Sequence, residues 1–458
     1  MDHFTYEPSS AGASLHCEGV SLAEVAERFG SPTFVYSAAT IREHVARFRA
    51  AFAPLNATIC YAVKACNNLG VLRTLASAGA GADVVSLGEL ERALLAGIAP
   101  SNIVFAGVGK REHEIRAALD GRFSPRLAHA RSADERRQIE TRGAIRAFNA
   151  ESEQEIALIS RVARELGVRA RVNLRVNPDI DPKTHHHTTT GTRDTKFGVA
   201  IEQAEQVFDR ARDLPGVELA GLHVHLGSPI YSPEPYRLAC EALAALMERL
   251  ASRGHAVTRL DLGGGFGADY TTGRSPSAAD YAAVMTPILA PAVARGVEVV
   301  VEPGRSIVAN AGVLLTGVTY TKDTGDRRFL ICDAGMNALL RPALYQAFHF
   351  IWPVRCGPTM APPSRGPDLR LPGLETVDVV GPICETADFL ARRRAMPPVR
   401  AGDTLAVFTA GAYGMSMASQ YNDQPRPAEV LIDAGKATLV RRRESFADLI
   451  SCETDLPG

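Results

Sequence analysis

From Thr58 to Glu302 the chain alternates short runs of β-branched and apolar residues with longer stretches whose apolar positions recur every three to four residues. The runs fall at 58–64, 82–86, 103–107, 145–149, 171–177, 221–227, 259–263 and 298–302, and each reads as a buried strand. Between them, 153–167 and 235–253 carry the period of amphipathic helices. Such alternation predicts parallel βα units. Eight units in about 245 residues is the size of an α/β fold of the (β/α)8, TIM-like barrel type.

Side chains alternate between the two faces of a strand, so spacing within each run separates an inward set from an outward one. Thr58, Cys60, Ala62 and Lys64 share one face; Arg171, Asn173, Arg175 and Asn177 share another; His223 and His225 oppose Leu222, Val224 and Leu226. The bulky apolar set is expected against the helices. The polar set then points inward, with its last members at the C-terminal strand ends where barrel enzymes keep their chemistry.

After Glu302 the pattern changes to Val-, Leu- and Thr-rich segments at 306–321, 328–333, 375–380, 404–408, 428–432 and 437–441, separated by Gly, Pro and Asp turns. That predicts an antiparallel β domain. The run Thr33-Phe34-Val35-Tyr36 precedes the barrel and is placed to add a strand to it. The expected division is a barrel over 36–305 and a second β-sandwich or β-barrel domain made of 1–35 with 306–458. An Arg-rich stretch at 122–143 and a Pro-rich stretch at 353–373 fit neither pattern and read as surface insertions.

Charge adds exclusions. The 458 residues hold 50 Lys and Arg against 51 Asp and Glu, so no field gathers nucleic acid or an anionic membrane, and a small molecule is the expected partner. The eight cysteines form no C-x-x-C pair, which argues against a zinc site and a disulfide framework. No apolar run approaches a membrane span and no signal-peptide order opens the chain, so a cytoplasmic protein is expected.

Several motifs carry chemistry, each with a plain alternative. Lys64, in Tyr61-Ala62-Val63-Lys64-Ala65, is an inward lysine at a strand end; a desolvated amine suits Schiff-base chemistry, and the alternative is a lysine reaching solvent or pairing with a carboxylate. Asp261-Leu-Gly-Gly-Gly-Phe-Gly267 offers backbone N–H groups to an anion, or is only a tight turn. Glu302-Pro-Gly-Arg305 places a carboxylate and a guanidinium at the same mouth, for a protonated ring nitrogen and an anion or for one another. In His223-Val-His225-Leu-Gly-Ser228 no accompanying carboxylate is evident, so metal ligation is not expected and an imidazole packed on a flat ring fits better. The run His185-His186-His187 reads as exposed loop. Arg341-Pro-Ala-Leu-Tyr345, Cys384-Glu385 and Gly411-Ala-Tyr413 would each pass for packing or surface, but together supply an anion binder, a thiol acid, a carboxylate and a phenol.

In this order, Tyr61–Ala65, Asn177–Gly198, His223–Ser228, Gly263–Gly267, Glu302–Arg305, Asp333–Tyr345 and Gly411–Tyr421 resemble the fold-type III pyridoxal-phosphate decarboxylases, most of all the branch acting on diaminopimelate. The resemblance implies pyridoxal 5′-phosphate held by Lys64 as a Schiff base, His225 stacked on its ring, and Glu302 on the ring nitrogen. It implies Ser228, Gly263, Gly264, Gly265, Gly304, Arg305 and Tyr413 around the phosphate. It also implies a homodimer with shared sites, in which Cys384 protonates the carbanion and Glu385 meets the substrate's far ammonium. Arg305, Arg341, Tyr345 and Tyr413 would bind the amino-acid substrate, its far carboxylate in particular. The implied reaction is decarboxylation of meso-2,6-diaminopimelate to L-lysine, the last step of lysine biosynthesis.

The family usually reads Cys-Glu-Ser-Gly-Asp where this chain has Cys384-Glu-Thr-Ala-Asp388, and the 122–143 stretch looks inserted. Rival readings are a related decarboxylase acting on ornithine, arginine or carboxynorspermidine, an amino-acid racemase, and a non-catalytic regulatory homologue.

Overall fold

Eight parallel strands close on themselves in the computed structural model of the chain, which describes residues 2–9, 12–120, 144–182, 190–191, 195–271 and 275–454. Thr58–Ala62, Gly81–Val84, Ile103–Phe105, Ala147–Ala150, Ala170–Asn177, Val217–His223, Arg259–Asp261 and Glu298–Val301 pair in that order, and Val300 and Val301 pair back onto Thr58 and Ile59. Each expected run overlaps one of these strands, with ends displaced by up to four residues. Most strands stop short of the expected C-terminal limit, because the chain turns there into the loops that carry the polar motifs. The Arg-rich 122–143 stretch and the His185–His187 run lie outside the described residues.

Helices cover the barrel for reasons visible in their sequences. Glu153–Leu166 begins where the Ser152 hydroxyl accepts the Glu155 N–H at 3.2 Å, and ends at Gly167, whose φ of +67° lets its N–H reach back to the last turn. Its Ile156, Ile159, Val162 and Ala163 are buried, so the apolar face predicted by spacing is the face that packs. Glu234–Ser252 likewise buries Leu243, Leu246 and Leu250, each of which contributes about 2 kcal/mol by leaving water.

The chain divides into two compact units: Arg42–Gly267 with Ser275–Ser306, which holds the barrel, and Met1–Ile41 with Ala268–Arg274 and Ile307–Gly458. In the second unit Thr33–Ser37 joins a nine-stranded sheet beside Gly312–Asp323, as its pattern suggested. That sheet is mixed, which corrects the antiparallel expectation. Thr33–Ser37 runs parallel to Ala428–Asp433, and Arg328–Cys332 parallel to Glu375–Val380. The partners are joined by long excursions of chain rather than tight turns, so parallel pairing is sterically open. The Pro-rich stretch is partly structured: Arg355–Cys356 pairs with Gly12–Cys17, and the Met360 carbonyl accepts from the indole of Trp352 at 2.8 Å. Among the described residues no helix is long and apolar enough to cross a membrane.

Candidate active site

The first barrel strand ends at Ala62, whose N–H donates to the Pro303 carbonyl at 3.2 Å, and Lys64 follows on the single turn Val63–Ala65 rather than within a strand. Its Nζ lies 2.5 Å from Oδ2 of Asp83 at the end of the second strand. Asp83 is fully buried, and its Oδ1 has no hydrogen-bond partner among the described residues. Pairing with a carboxylate, the plain alternative for Lys64, is therefore present. The pair also leaves a buried acceptor unspent beside an amine that remains one-third exposed.

Glu302 sits just past the eighth strand, held by its N–H to the Gly263 carbonyl at 2.8 Å. Its Oε1 accepts from Asn149 Nδ2 at 3.2 Å, and its Oε2 is 3.6 Å from His223 Nε2. Arg305 turns instead to the Ser228 hydroxyl, at 3.1 Å from its Nε. Glu302 and Arg305 thus serve separate parts of the mouth. Gly304 lets this turn close on the lysine turn, since a Cβ there would lie 2.9 Å from the Ala62 methyl.

The glycine run is required by close approach. A Cβ on Gly263, Gly264 or Gly265 would sit 2.2–2.3 Å from the carbonyl oxygens of Val224, Glu302 and Gly227, respectively. Two of its amides are committed within the protein: Gly263 N–H donates to Asp261 Oδ1 and Gly264 N–H to His225 Nδ1, both at 3.1 Å. Accepting at Nδ1 places the His225 proton on Nε2 whenever the ring is neutral.

Carboxylates crowd the floor, which corrects the reading that none accompanies the histidine pair. His223, Asp261 and Glu302 bring ligand atoms within 4.8 Å of one another. Burial, then the neighbouring Asp83, holds the Glu302 proton affinity well above the usual carboxylate range. Burial, then Glu302, does the same for Asp261. Burial lowers His223 to about 4 and also depresses His225, with Arg175 adding repulsion. The floor is therefore rich in acids and holds neutral imidazoles. It suits a flat ring bearing a proton or positive charge on an edge nitrogen.

Arg175 braces one wall: it pairs with Glu151 at 2.7 Å, donates to the His225 carbonyl at 3.3 Å and lies over the Phe197 ring. The Gly198 N–H donates to Glu151 at 2.8 Å, which ties the Lys196-Phe197-Gly198 motif to the barrel. Asp83, Asn149, Glu151 and Asp261 were not singled out from sequence as site residues. The available signal was a lone polar residue inside an otherwise apolar run, as in Gly81-Ala-Asp83-Val and Ala147-Phe-Asn149-Ala.

The remaining predicted residues belong to the second unit, where three sequence motifs are bound together. Asp388 accepts N–H bonds from Met336 at 2.6 Å and Ile383 at 2.7 Å, Cys384 N–H donates to Asn422 Oδ1 at 2.9 Å, and Ser419 N–H donates to the Asn337 carbonyl. The cluster presents Cys384 and Glu385 to solvent, with Tyr421 donating to Glu385 at 3.0 Å. Arg341 is buried against His349, whose Nε2 accepts at 3.0 Å and whose Nδ1 donates to the Phe408 carbonyl. Tyr345 ends the same short helix, and Tyr413 is held at a φ of +54°.

Residues 38–309 match the family described as pyridoxal-dependent decarboxylase, pyridoxal binding domain. The chain is 45% identical to a diaminopimelate decarboxylase of Pseudomonas aeruginosa, covering 100% of both proteins, and 43% identical to that of Vibrio cholerae, again over 100% of both. Among solved structures it is similar to the diaminopimelate decarboxylase of M. jannaschii in complex with L-lysine, with a TM-score of 0.85, 33% identity and 99% and 98% of the two chains covered. A fold with an amine and acids at a barrel mouth thus meets a match over more than half its length, and the chain belongs to the pyridoxal-dependent decarboxylase family.

Proposed function

We propose that this chain decarboxylates meso-2,6-diaminopimelate to L-lysine with pyridoxal 5′-phosphate carried on Lys64. The observation that carries the reading is end-to-end similarity to relatives named for that activity, with 45% identity across the whole chain. The residues at the barrel mouth fit the cofactor. Asp83 Oδ1 and both His223 nitrogens are buried without hydrogen-bond partners among the described residues, and the glycine run admits no side chain where a flat, phosphorylated ring must approach.

When bound, the cofactor supplies the electron sink for the bond to the departing carboxylate. The chain supplies the rest. Lys64 gives the amine that anchors it, and Asp83 is placed to hold the Lys64 proton at 2.5 Å. Glu302 would hold the ring nitrogen and His225 would pack on the ring face. Ser228, Gly265, Gly304 and Arg305 serve the phosphate, with Tyr413 adding a hydroxyl.

Diaminopimelate keeps a carboxylate and an ammonium at its far end. Arg341 and Tyr345 suit the carboxylate, and Glu385 suits the ammonium. Cys384 is the proton donor to the carbon left by carbon dioxide. Because Cys384 and Glu385 are exposed on this chain, they are read as completing the barrel site of a second copy in a homodimer. The eight free thiols support a cytoplasmic setting. Incubating the loaded enzyme with meso-diaminopimelate, ornithine, arginine and carboxynorspermidine, scored by carbon dioxide release, tests the assignment. Diaminopimelate is expected to be turned over at least a hundredfold faster than the others, and preference for any other substrate overturns it.

A further inference from the structure

The barrel interior holds three polar residues, Asn149, Asn173 and Arg259, with no role in the reaction as proposed, and they link Glu302 to the far end of the barrel. Asn149 Nδ2 donates to Asp261 Oδ2 at 2.8 Å and to Glu302 Oε1 at 3.2 Å. Asn149 Oδ1 accepts from Asn173 Nδ2 at 2.8 Å, and Asn173 Oδ1 accepts from Arg259 Nε at 3.2 Å. Arg259 Nη1 pairs with Glu218 Oε1 at 2.6 Å, where the Glu218 side chain is 36% exposed. Asn149, Asn173 and Arg259 are all buried. Arg259 and Asp261 are two residues apart on one strand and so share its inward face. The series therefore crosses the interior, from solvent at Glu218 to the acids at the mouth.

Its direction is dictated by chemistry. A guanidinium only donates, so Asn173 must turn its oxygen to Arg259 and its NH2 to Asn149. Asn149 is then forced to do the same and to end on two carboxylates, which accept. From Arg259 Nε through Asn173 to Asn149 each successive donor points to the mouth, Arg259 also donates back to Glu218, and the fixed positive charge stands at the far end. Hydrogen bonds to a carboxylate favour its charged form, and aligned bonds in a low dielectric polarise one another. The strand geometry also makes room for the chain: a Cβ on Gly221 would lie 1.8 Å from Asn173 Oδ1, and the strand register shifts between Leu219 and Gly221.

We propose that Arg259, acting through Asn173 and Asn149, is a positioning residue that holds Glu302 in its charged form for the cofactor ring. The inference rests on the reading of Glu302 as the ring-nitrogen partner. Several groups act on Glu302 at once. Asp83, Asp261 and the Cys60 thiol face it as acids or potential anions, Lys64 and Arg175 as cations, and His223 as a neutral ring. Burial and Asp83 favour protonation of Glu302, Lys64 and Arg175 oppose it, and the bond from Asn149 Nδ2 adds a donor on the side of the charged form.

The test is the pH dependence of pyridoxal 5′-phosphate affinity, titrated with the full-length protein. Affinity is expected to rise with pH through one step that Glu302→Gln removes. Arg259→Met should move the midpoint of that step up by about one pH unit, and Glu218→Gln, which deletes the opposing charge, should move it down. A packing role alone would shift both variants alike or neither, and either result overturns the proposal. If Arg259→Met does not fold, the direction of the Glu218→Gln shift decides. If the step survives in Glu302→Gln, the reading of Glu302 itself falls. If the step is lost there but unmoved by the other two variants, only the polar chain is refuted.

Discussion

Asp83 is the partner that Lys64 already has, and it decides what the lysine can do. A fully buried carboxylate 2.5 Å from the amine is placed to take its proton when the amine is needed neutral. Asp83→Asn is expected to lower kcat by about 100-fold while leaving the fold intact, because the amide keeps the shape and loses the proton acceptor. Steady-state kinetics with a melting curve checks this. Nearby, burial pushes Glu89 up to about 7, against the bond from Val85 N–H. A carboxyl raised in the folded state stabilises fully below the ordinary glutamate range, and the contribution is lost as pH rises through about 7. Urea unfolding of the cofactor-free protein should therefore show that Glu89→Gln removes about 3 kcal/mol from the change in stability between pH 4.5 and 8. Lys64, Glu302 and Arg305 stand out in the sequence as candidates because a charged residue ending an apolar run has few structural uses. Asp83 and Asn149 carry a weaker signal, since a lone polar side chain inside a strand reads the same whether it fills a core or a site.

At the scale of elements, the site depends on turns that exclude side chains and loops that are tied by one acid. Gly264→Ala would push a methyl to 2.2 Å from the Glu302 carbonyl and displace the floor. It is expected to cost about 2 kcal/mol of stability and at least tenfold in cofactor affinity, measured by unfolding and by titration. Asp388 binds the Met336 and Ile383 amides together, so Asp388→Ala should free the loop bearing Cys384 and Glu385. The expected result is a 10- to 100-fold loss in kcat/KM with cofactor affinity unchanged, since the Asp388 bonds tie the Cys384 loop rather than a residue assigned to the cofactor. The barrel strands were legible because each is a short apolar run closed by turn residues. The strand Phe389–Met396 was not: three consecutive arginines and a φ of +48° at Arg393 break the alternation that would have revealed it.

For the whole molecule, the proposal that a second copy completes the site has a consequence that no single-chain property shares. Mixing Lys64→Ala with Cys384→Ala protein, each inactive alone, should restore about a quarter of wild-type activity, because half the random dimers hold one intact site of two. No recovery in subunits shown to exchange would refute sharing. Sequence periodicity made the barrel legible, while the parallel pairings of the second sheet depend on excursions too long for local pattern to register. The central claim is that Lys64 carries the cofactor, and borohydride reduction of the loaded enzyme followed by peptide mapping tests it most directly. One reduced pyridoxyl-phosphate group on the peptide containing Lys64, absent from Lys64→Ala, is the predicted result; incorporation at another lysine, or none, would contradict it.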